Sequence, residues 1–246
     1  MDAKQYILIT GASSGIGAAC AVQLSEQYNL ILAGRNHDKL DGVRLQCKNT
    51  NEHLVWVCDL ATERGEIANS LTSFLKEKNA VVSTFIHCAG VSKILPFKDF
   101  AISYIDEIYN VNFFSAVEIT KCLLKRANQK ALKNVLLISA LFAMRGNVGN
   151  SIYASSKGAI NALVYSLALE LAPNVRVNAL MPGAIETPMT EHLNEEYKNR
   201  IEQATPLGLG STDDVCHYVE FIISDKAKWI TGQTLFVDGG LDVKCV

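Results

Sequence analysis

Tyr6-Ile7-Leu8-Ile9-Thr10-Gly11-Ala12-Ser13-Ser14-Gly15-Ile16-Gly17 decides how this chain is read. An apolar run of strand length ends at Thr10, and three glycines follow with the spacing G-x-x-x-G-x-G. Glycine tolerates a tight turn. It also lets backbone N–H groups come close to an anion, such as a pyrophosphate, at the N-terminus of the helix that follows. The spacing differs from the commoner dinucleotide pattern G-x-G-x-x-G. In isolation such a run is an ordinary strand–helix turn. What favours nucleotide binding is its place, at the first strand of a chain that alternates throughout.

Outward from this turn, short apolar runs recur at 30–33, 54–57, 84–88, 135–139, 176–180 and 234–237, separated by segments of helical length and spacing. Val135-Leu136-Leu137-Ile138 is apolar without alternation, as expected of a strand buried on both faces. Ser211-Thr212-Asp213-Asp214 reads as a helix N-cap with a carboxylate at the third helical position. Strands alternating with helices predict one α/β unit over residues 1–246. Its core would be a Rossmann-type, doubly wound parallel sheet of about seven strands with helices on both faces. Ligands of such sheets sit beyond the carboxyl ends of the strands. Pro182, Pro188 and Pro206 bracket a segment of about 183–206, read as a substrate lid that carries Glu191, His192, Glu195 and Glu196.

Bulk properties narrow the function classes. With 49% hydrophobic and 20% charged residues the chain can bury a large core, and a formal net charge of −2 gives no electrostatic reason to expect nucleic acid or an anionic membrane. Cys20, Cys47, Cys58, Cys88, Cys122, Cys216 and Cys245 are odd in number, scattered, and without C-x-x-C. That pattern predicts reduced cytoplasmic thiols, not disulfides or a metal site. The first apolar run is too short for a secretory signal, and no stretch approaches the roughly 20 apolar residues of a membrane span.

The end of the second strand reads Leu32-Ala33-Gly34-Arg35-Asn36. An acidic side chain there would accept hydrogen bonds from the ribose hydroxyls of NAD and repel a 2′-phosphate. Instead a guanidinium is present, whose planar donors suit phosphate. The expected cofactor is therefore NADP(H); the alternative is that Arg35 only caps the strand and faces water.

Tyr153 and Lys157 lie four apart near the start of a helix predicted to run to about residue 172, which puts them on one helical face. An ammonium near a phenol is expected to lower its pKa from about 10. The glycine run, Tyr153 and Lys157 together resemble the short-chain dehydrogenase/reductase family, and in particular its 3-oxoacyl-carrier-protein reductases. The resemblance spans about residues 5–241. It implies that Gly11, Ser13, Ser14, Gly15, Ile16 and Gly17 hold the cofactor's pyrophosphate, with Arg35 and Asn36 at its adenosine end. It also implies that Asp59 and Leu60 flank adenine, and that Cys88, Ala89 and Gly90 lie slim beside the dinucleotide. Pro182, Gly183, Ile185 and Thr187, in P-G-x-x-x-T, would hold the carboxamide. Tyr153 would donate the proton. Lys157 would tune it and hold the ribose, and Asn112 would relay protons through water. His87-Cys88-Ala89-Gly90 departs from the family's N-N-A-G at both asparagines; Cys88 is read as a small buried hydrophobe. The helices near 103–127 and 152–172 resemble those that pair between family subunits, so a homodimer or homotetramer is expected.

One position departs from the pattern where chemistry is concerned. Ala140, thirteen residues before Tyr153, stands where the family usually carries a serine that hydrogen-bonds the substrate carbonyl. Losing one donor to a developing oxyanion costs about 2.7–4 kcal/mol, or about 10²–10³ in rate. Ser139 is adjacent, but neighbours at a strand end point to opposite faces. Three explanations stand: an engineered substitution, a natural loss in a silenced homologue, or service by Ser139. The intact remainder of the proton machinery favours the first. The function expected is an NADP(H)-dependent oxidoreductase interconverting a ketone and a secondary alcohol, weakened by Ala140. The rival is a nucleotide-binding protein with a structural or regulatory role. No motif names the substrate. Arg145 is read as a solvated loop arginine, with an anionic substrate group as its other reading, and His192 as an exposed lid residue.

Overall fold

The computed structural model describes residues 3–128, 130–191 and 194–243. Seven parallel strands form one sheet in the order β3-β2-β1-β4-β5-β6-β7. They are β1 (Lys4–Thr10), β2 (Leu30–Gly34), β3 (Leu54–Val57), β4 (Ala80–His87), β5 (Asn134–Ile138), β6 (Arg176–Pro182) and β7 (Thr234–Val237). All seven expected strands form. The helices between them are α1 (Gly15–Leu24), α2 (His37–Arg44), α3 (Ile67–Glu77), α4 (Ile102–Tyr109), α5 (Ser115–Leu123), α6 (Ser151–Leu171), α7 (Glu195–Ala204) and α8 (Thr212–Ile223).

Two apolar layers cover the sheet, and the strand sequences divide between them residue by residue. Tyr6, Leu8, Ile31 and Ala33 face a layer that includes Ile67 and Leu71 of α3, Ile119 of α5 and Val164 of α6. Ile7, Ile9, Leu30 and Leu32 face the other, with Leu24 of α1, Leu40 of α2 and Val219 of α8. Alternate side chains point to opposite faces, and here both faces are dry, which explains runs that are apolar without alternation. Burying one such Leu or Ile contributes about 1.5–3 kcal/mol. The N-cap expected at Ser211 forms as a full capping box with Asp214. Among the described residues no helix is long and apolar enough to cross a membrane, no group of acids, histidines and cysteines is arranged to hold a metal, and the six described cysteines are free. Cys245 lies outside the described residues.

The order in which strands are added reverses at β1: β2 and β3 lie to one side of it and β4 onward to the other. This switch point opens a crevice at the carboxyl ends of β1 and β4, and ligands of doubly wound sheets bind in such crevices.

Candidate active site

The glycine turn and the end of β4 meet in that crevice. Gly11 has φ +68°, and a Cβ there would come within 2.7 Å of the Ala89 backbone nitrogen. Any side chain would therefore force apart the two loops that floor the crevice. A Cβ at Gly17 would overlap the Gly11 carbonyl, so α1 can begin only against a bare backbone. Ser14 sits at the N-cap of α1 without a capping hydrogen bond, and the first turn holds no acid. The first amides of α1 are thus open to an anion, and a dinucleotide pyrophosphate fits the cradle. Ser13 lies at the mouth of β2: a Cβ on Gly34 would be 3.7 Å from its hydroxyl.

Arg35 and Asn36 follow Gly34. Asn36 caps α2 by accepting from the Lys39 amide at 3.0 Å. Arg35 is exposed and has no hydrogen bond or ion pair to any described residue. At the end of β3, the Asp59 carboxylate accepts from the Ala61 amide at 3.0 Å, and its own amide donates to Glu63 at 2.8 Å. Leu60 is buried. Glu63, which shapes this corner, carries no motif that would have singled it out. Cys88 is half-buried, not buried as expected; it emerges at the crevice floor and packs beside the apolar layer of Leu24 and Leu40.

The second cluster lies past β4 and β5. The chain from Asn110 to Phe114 takes a π-helical turn between α4 and α5. Such turns often mark functional sites, and this one carries the expected Asn112. Asn112 is fully buried. Its amide oxygen accepts from the Val91 amide at 2.8 Å, and its nitrogen donates to the Val91 carbonyl and to the Ser156 hydroxyl, each at 3.0 Å. A Cβ on Gly90 would be 3.4 Å from the Lys157 ammonium and 3.6 Å from the Asn112 oxygen. Gly90, Asn112 and Lys157 therefore share one corner, brought together from three elements.

His87 holds the corner from behind. Its Nδ1 lies 2.8 Å from the Thr10 hydroxyl and its Nε2 3.2 Å from the Val111 carbonyl. Val111 can only accept, so Nε2 carries the hydrogen and Nδ1 accepts from Thr10. Burial, helped by the nearby Lys157 charge, pushes the imidazole down to about 3. A neutral histidine thus ties β1 and β4 to the turn that carries Asn112. The sequence marked His87 only as a departure from N-N-A-G.

The electrostatics of Tyr153 and Lys157 correct one expectation. The phenol is not depressed: burial pushes it up to about 12. Lys157 is pushed down to about 8, also by burial, which the neighbouring Cys88 partly offsets. Its ammonium donates to the Ile138 carbonyl at 2.7 Å and stands 5.9 Å from the centre of the Tyr153 ring. The spacing of four does place both on one face, with the ammonium hydrogen-bonded to the end of β5.

Ala140 follows β5 in an extended conformation, 7% exposed. Ser139 is buried, and its hydroxyl donates to the Lys157 backbone carbonyl at 3.1 Å. It is thus committed to the α6 backbone. Pro182 ends β6. Gly183 donates to the Val237 carbonyl at 3.0 Å, Ile185 bridges to Gly210, and the Thr187 amide donates to the Thr190 hydroxyl at 3.0 Å. Thr187 also borders the cradle, 3.6 Å from where a Cβ on Gly15 would sit. Beyond it, Tyr197 of α7 accepts from Asn147 in the loop after β5 at 2.9 Å. Arg145 is an exposed loop residue, as expected, and its Nε donates to the Asp242 carboxylate at 2.6 Å. His192 lies outside the described residues.

This architecture has close counterparts. A family model described as enoyl-(acyl carrier protein) reductase matches residues 11–242. The chain is 32% identical over 237 residues to the 3-oxoacyl-acyl-carrier-protein reductase of Rickettsia conorii, covering 95% of each. The chain belongs to the short-chain dehydrogenase/reductase family. It is also 29% identical over 250 residues to the 7alpha-hydroxysteroid dehydrogenase of Bacteroides fragilis, covering 98% of this chain and 95% of that protein. A solved 4-hydroxyisoleucine dehydrogenase complexed with NADH superposes with a TM-score of 0.90 at 26% identity, over 98% of this chain and all (100%) of that one. The chain is thus an oxidoreductase by family, with a Rossmann-type fold.

Proposed function

We propose that this chain interconverts a ketone and a secondary alcohol, that it uses NADP(H), and that Ala140 weakens it. The observation that carries the reading is the corner shared by Gly90, Asn112 and Lys157, with Lys157 one helical turn from Tyr153 and Gly90 next to Ala89, which packs against Gly11 of the glycine cradle. The bound nicotinamide would supply or accept the hydride. The open amides of α1 and the slim Gly11–Ala89 floor would hold the pyrophosphate, with Asp59 and Leu60 at the adenine. Arg35, unpaired at the end of β2, would meet a 2′-phosphate. The P-G-x-x-x-T segment with Pro182, Gly183, Ile185 and Thr187 would hold the carboxamide end.

Tyr153 would act on the substrate oxygen. With its pKa at about 12 the phenol is protonated throughout the neutral range, ready to donate as an alkoxide forms. Lys157 would hold ribose hydroxyls, and Asn112 would keep the corner's geometry. The segment from about 183 to 206, latched to the loop after β5 by Asn147 and Tyr197, would be the lid. Tyr165 and Leu169 of α6 are exposed, Leu169 by 84%, which supports assembly as a homodimer or homotetramer through this helix. The test is reduction of an acetoacetyl thioester, followed as loss of NADPH absorbance. Tyr153→Phe should abolish turnover while leaving NADPH affinity nearly unchanged. Turnover by Tyr153→Phe at the parent rate would refute the assignment.

A further inference from the structure

Three thiols from three elements meet beneath the glycine cradle, and the proton machinery uses none of them. We propose that Cys88, Cys20 and Cys216 form a thiol relay: a low-molecular-weight disulfide reacts at Cys88 on the crevice floor, and the oxidation ends as a Cys20–Cys216 disulfide between α1 and α8.

Cys20 on α1 is 0% exposed and Cys216 on α8 is 2% exposed. Their sulfurs stand 3.1 Å apart. Glu220 of α8 fixes the register of the two helices, accepting from Gln23 of α1 at 2.8 Å and from Gln27 just beyond it at 2.9 Å. Cys88 follows β4, is half-buried, and packs against the apolar layer that holds both other thiols. Its thiol hydrogen-bonds Cys20. Cys20 thus has a sulfur neighbour from β4 and another from α8, and Cys88 is the member of the three that a solute can reach. The other described cysteines are engaged differently. Cys47 donates to the Ala21 carbonyl at 3.6 Å, Cys58 to Glu63 at 3.6 Å and Cys122 to the Ala68 carbonyl at 3.4 Å. Among the described residues no such group is arranged to hold a metal, so the close sulfurs point to exchange chemistry.

Three exchanges carry the oxidation inward. The Cys88 sulfur attacks one sulfur of the small disulfide, whose S–S bond breaks; a mixed disulfide forms on Cys88 and one small thiol leaves. Cys20 then attacks the Cys88 sulfur, forming Cys20–Cys88 and releasing the second small thiol. Cys216 attacks the Cys20 sulfur, forming Cys20–Cys216 and returning Cys88 as a thiol. In total two protein thiols are oxidised, one small disulfide is reduced to two thiols, and the two protons leave on those thiols. The last step is the best prepared. Atoms in a near-attack arrangement stand about 3–3.5 Å apart, the separation already present between Cys20 and Cys216. Closing it to a bond of about 2.05 Å takes about 1 Å of movement. The hydrogen bonds from Cys216 and Cys88, and then burial, hold the Cys20 thiol well above its usual pKa, so Cys20 rests protonated. An adduct on Cys88 removes one of those causes and favours the nucleophile that attacks it. The relay clears the adduct from the crevice floor and leaves α1 pinned to α8.

The experiment incubates the folded chain with bis(2-hydroxyethyl) disulfide at neutral pH, blocks remaining thiols with iodoacetamide, and maps unreduced peptides by mass over time. The parent should accumulate the Cys20–Cys216 disulfide with Cys88 recovered as a blocked thiol. Cys216→Ala should stop at Cys20–Cys88, and Cys20→Ala should stop at a mercaptoethanol adduct on Cys88. Cys88→Ser should form Cys20–Cys216 at least about tenfold more slowly, because the buried pair loses its point of entry. A Cys20–Cys216 disulfide that forms as fast in Cys88→Ser as in the parent overturns the relay. So does a parent in which the adduct stays on Cys88, or a Cys20→Ala protein that takes up no adduct there. Should either alanine variant not fold, the parent and Cys88→Ser decide the question between them.

Discussion

Replacing His87 by asparagine should flatten the acid side of the protein's stability curve by an amount that the structure sets. The imidazole is wholly buried and held neutral by Thr10 and Val111. Burial first, then Lys157, puts its pKa at about 3, against 6.5 for the free side chain. Below 6.5 the unfolded chain binds a proton here that the folded chain refuses, so stability falls as pH falls, down to the folded value near 3. Between pH 7 and pH 5 the unfolded state gains about 2 kcal/mol from protonating this one group, while the folded state gains almost nothing. Asparagine does not titrate, and its amide can still offer one donor and one acceptor. The variant should lose about 1–3 kcal/mol at pH 7, from imperfect bonds to Thr10 and Val111. It should then lose about 2 kcal/mol less than the parent on going to pH 5. Urea unfolding of both proteins at the two pH values measures the difference of differences, in which the remaining histidines cancel. Equal acid sensitivity within about 0.5 kcal/mol would show that His87 titrates normally in the folded chain and does not hold the Val111 carbonyl as described.

Three further outcomes are expected. NADPH should bind at least about tenfold tighter than NADH, a difference of about 1.4 kcal/mol, and Arg35→Ala should erase most of that preference; equal Kd values in the parent would remove Arg35 from the site. Ser139→Ala, in a protein that also carries Ala140→Ser, should leave kcat nearly unaltered and cost about 1 kcal/mol in urea unfolding, because its hydroxyl serves the Lys157 carbonyl and not substrate; loss of activity would make Ser139 the catalytic hydroxyl. Leu169→Asp should reduce the mass seen in light scattering at micromolar concentration; a parent that is already monomeric would refute assembly through α6.

The strands were legible because burial on both faces leaves a signature that local sequence can carry. Their ends were less so. β4 begins at Ala80, where the sequence reading starts only at residue 84, because Ser83 and Thr84 interrupt the apolar run while pairing with β1 continues across a bulge between Tyr6 and Ile7. β6 runs on through Pro182, which needs no amide at the last position of a strand. The π-helical turn left no mark at all. Asn110-Val111-Asn112-Phe113-Phe114 is ordinary helical sequence, and the register change is held by contacts from His87 and Val91 far away in the chain.

The Tyr153–Lys157 pair shows how far a spacing argument reaches. Four residues on a helix guarantee a shared face, and the two side chains do share one. Where the ammonium points is decided by a third group. Ile138 ends β5, and its carbonyl takes the Lys157 ammonium, so the phenol is left to burial alone and rises instead of falling. That inversion bears on direction. A phenol near 12 is fully protonated at neutral pH, the form that reduction consumes. Alcohol oxidation uses the phenolate, which an opposite charge brought nearer to the ring would favour. The free protein is therefore set for proton donation.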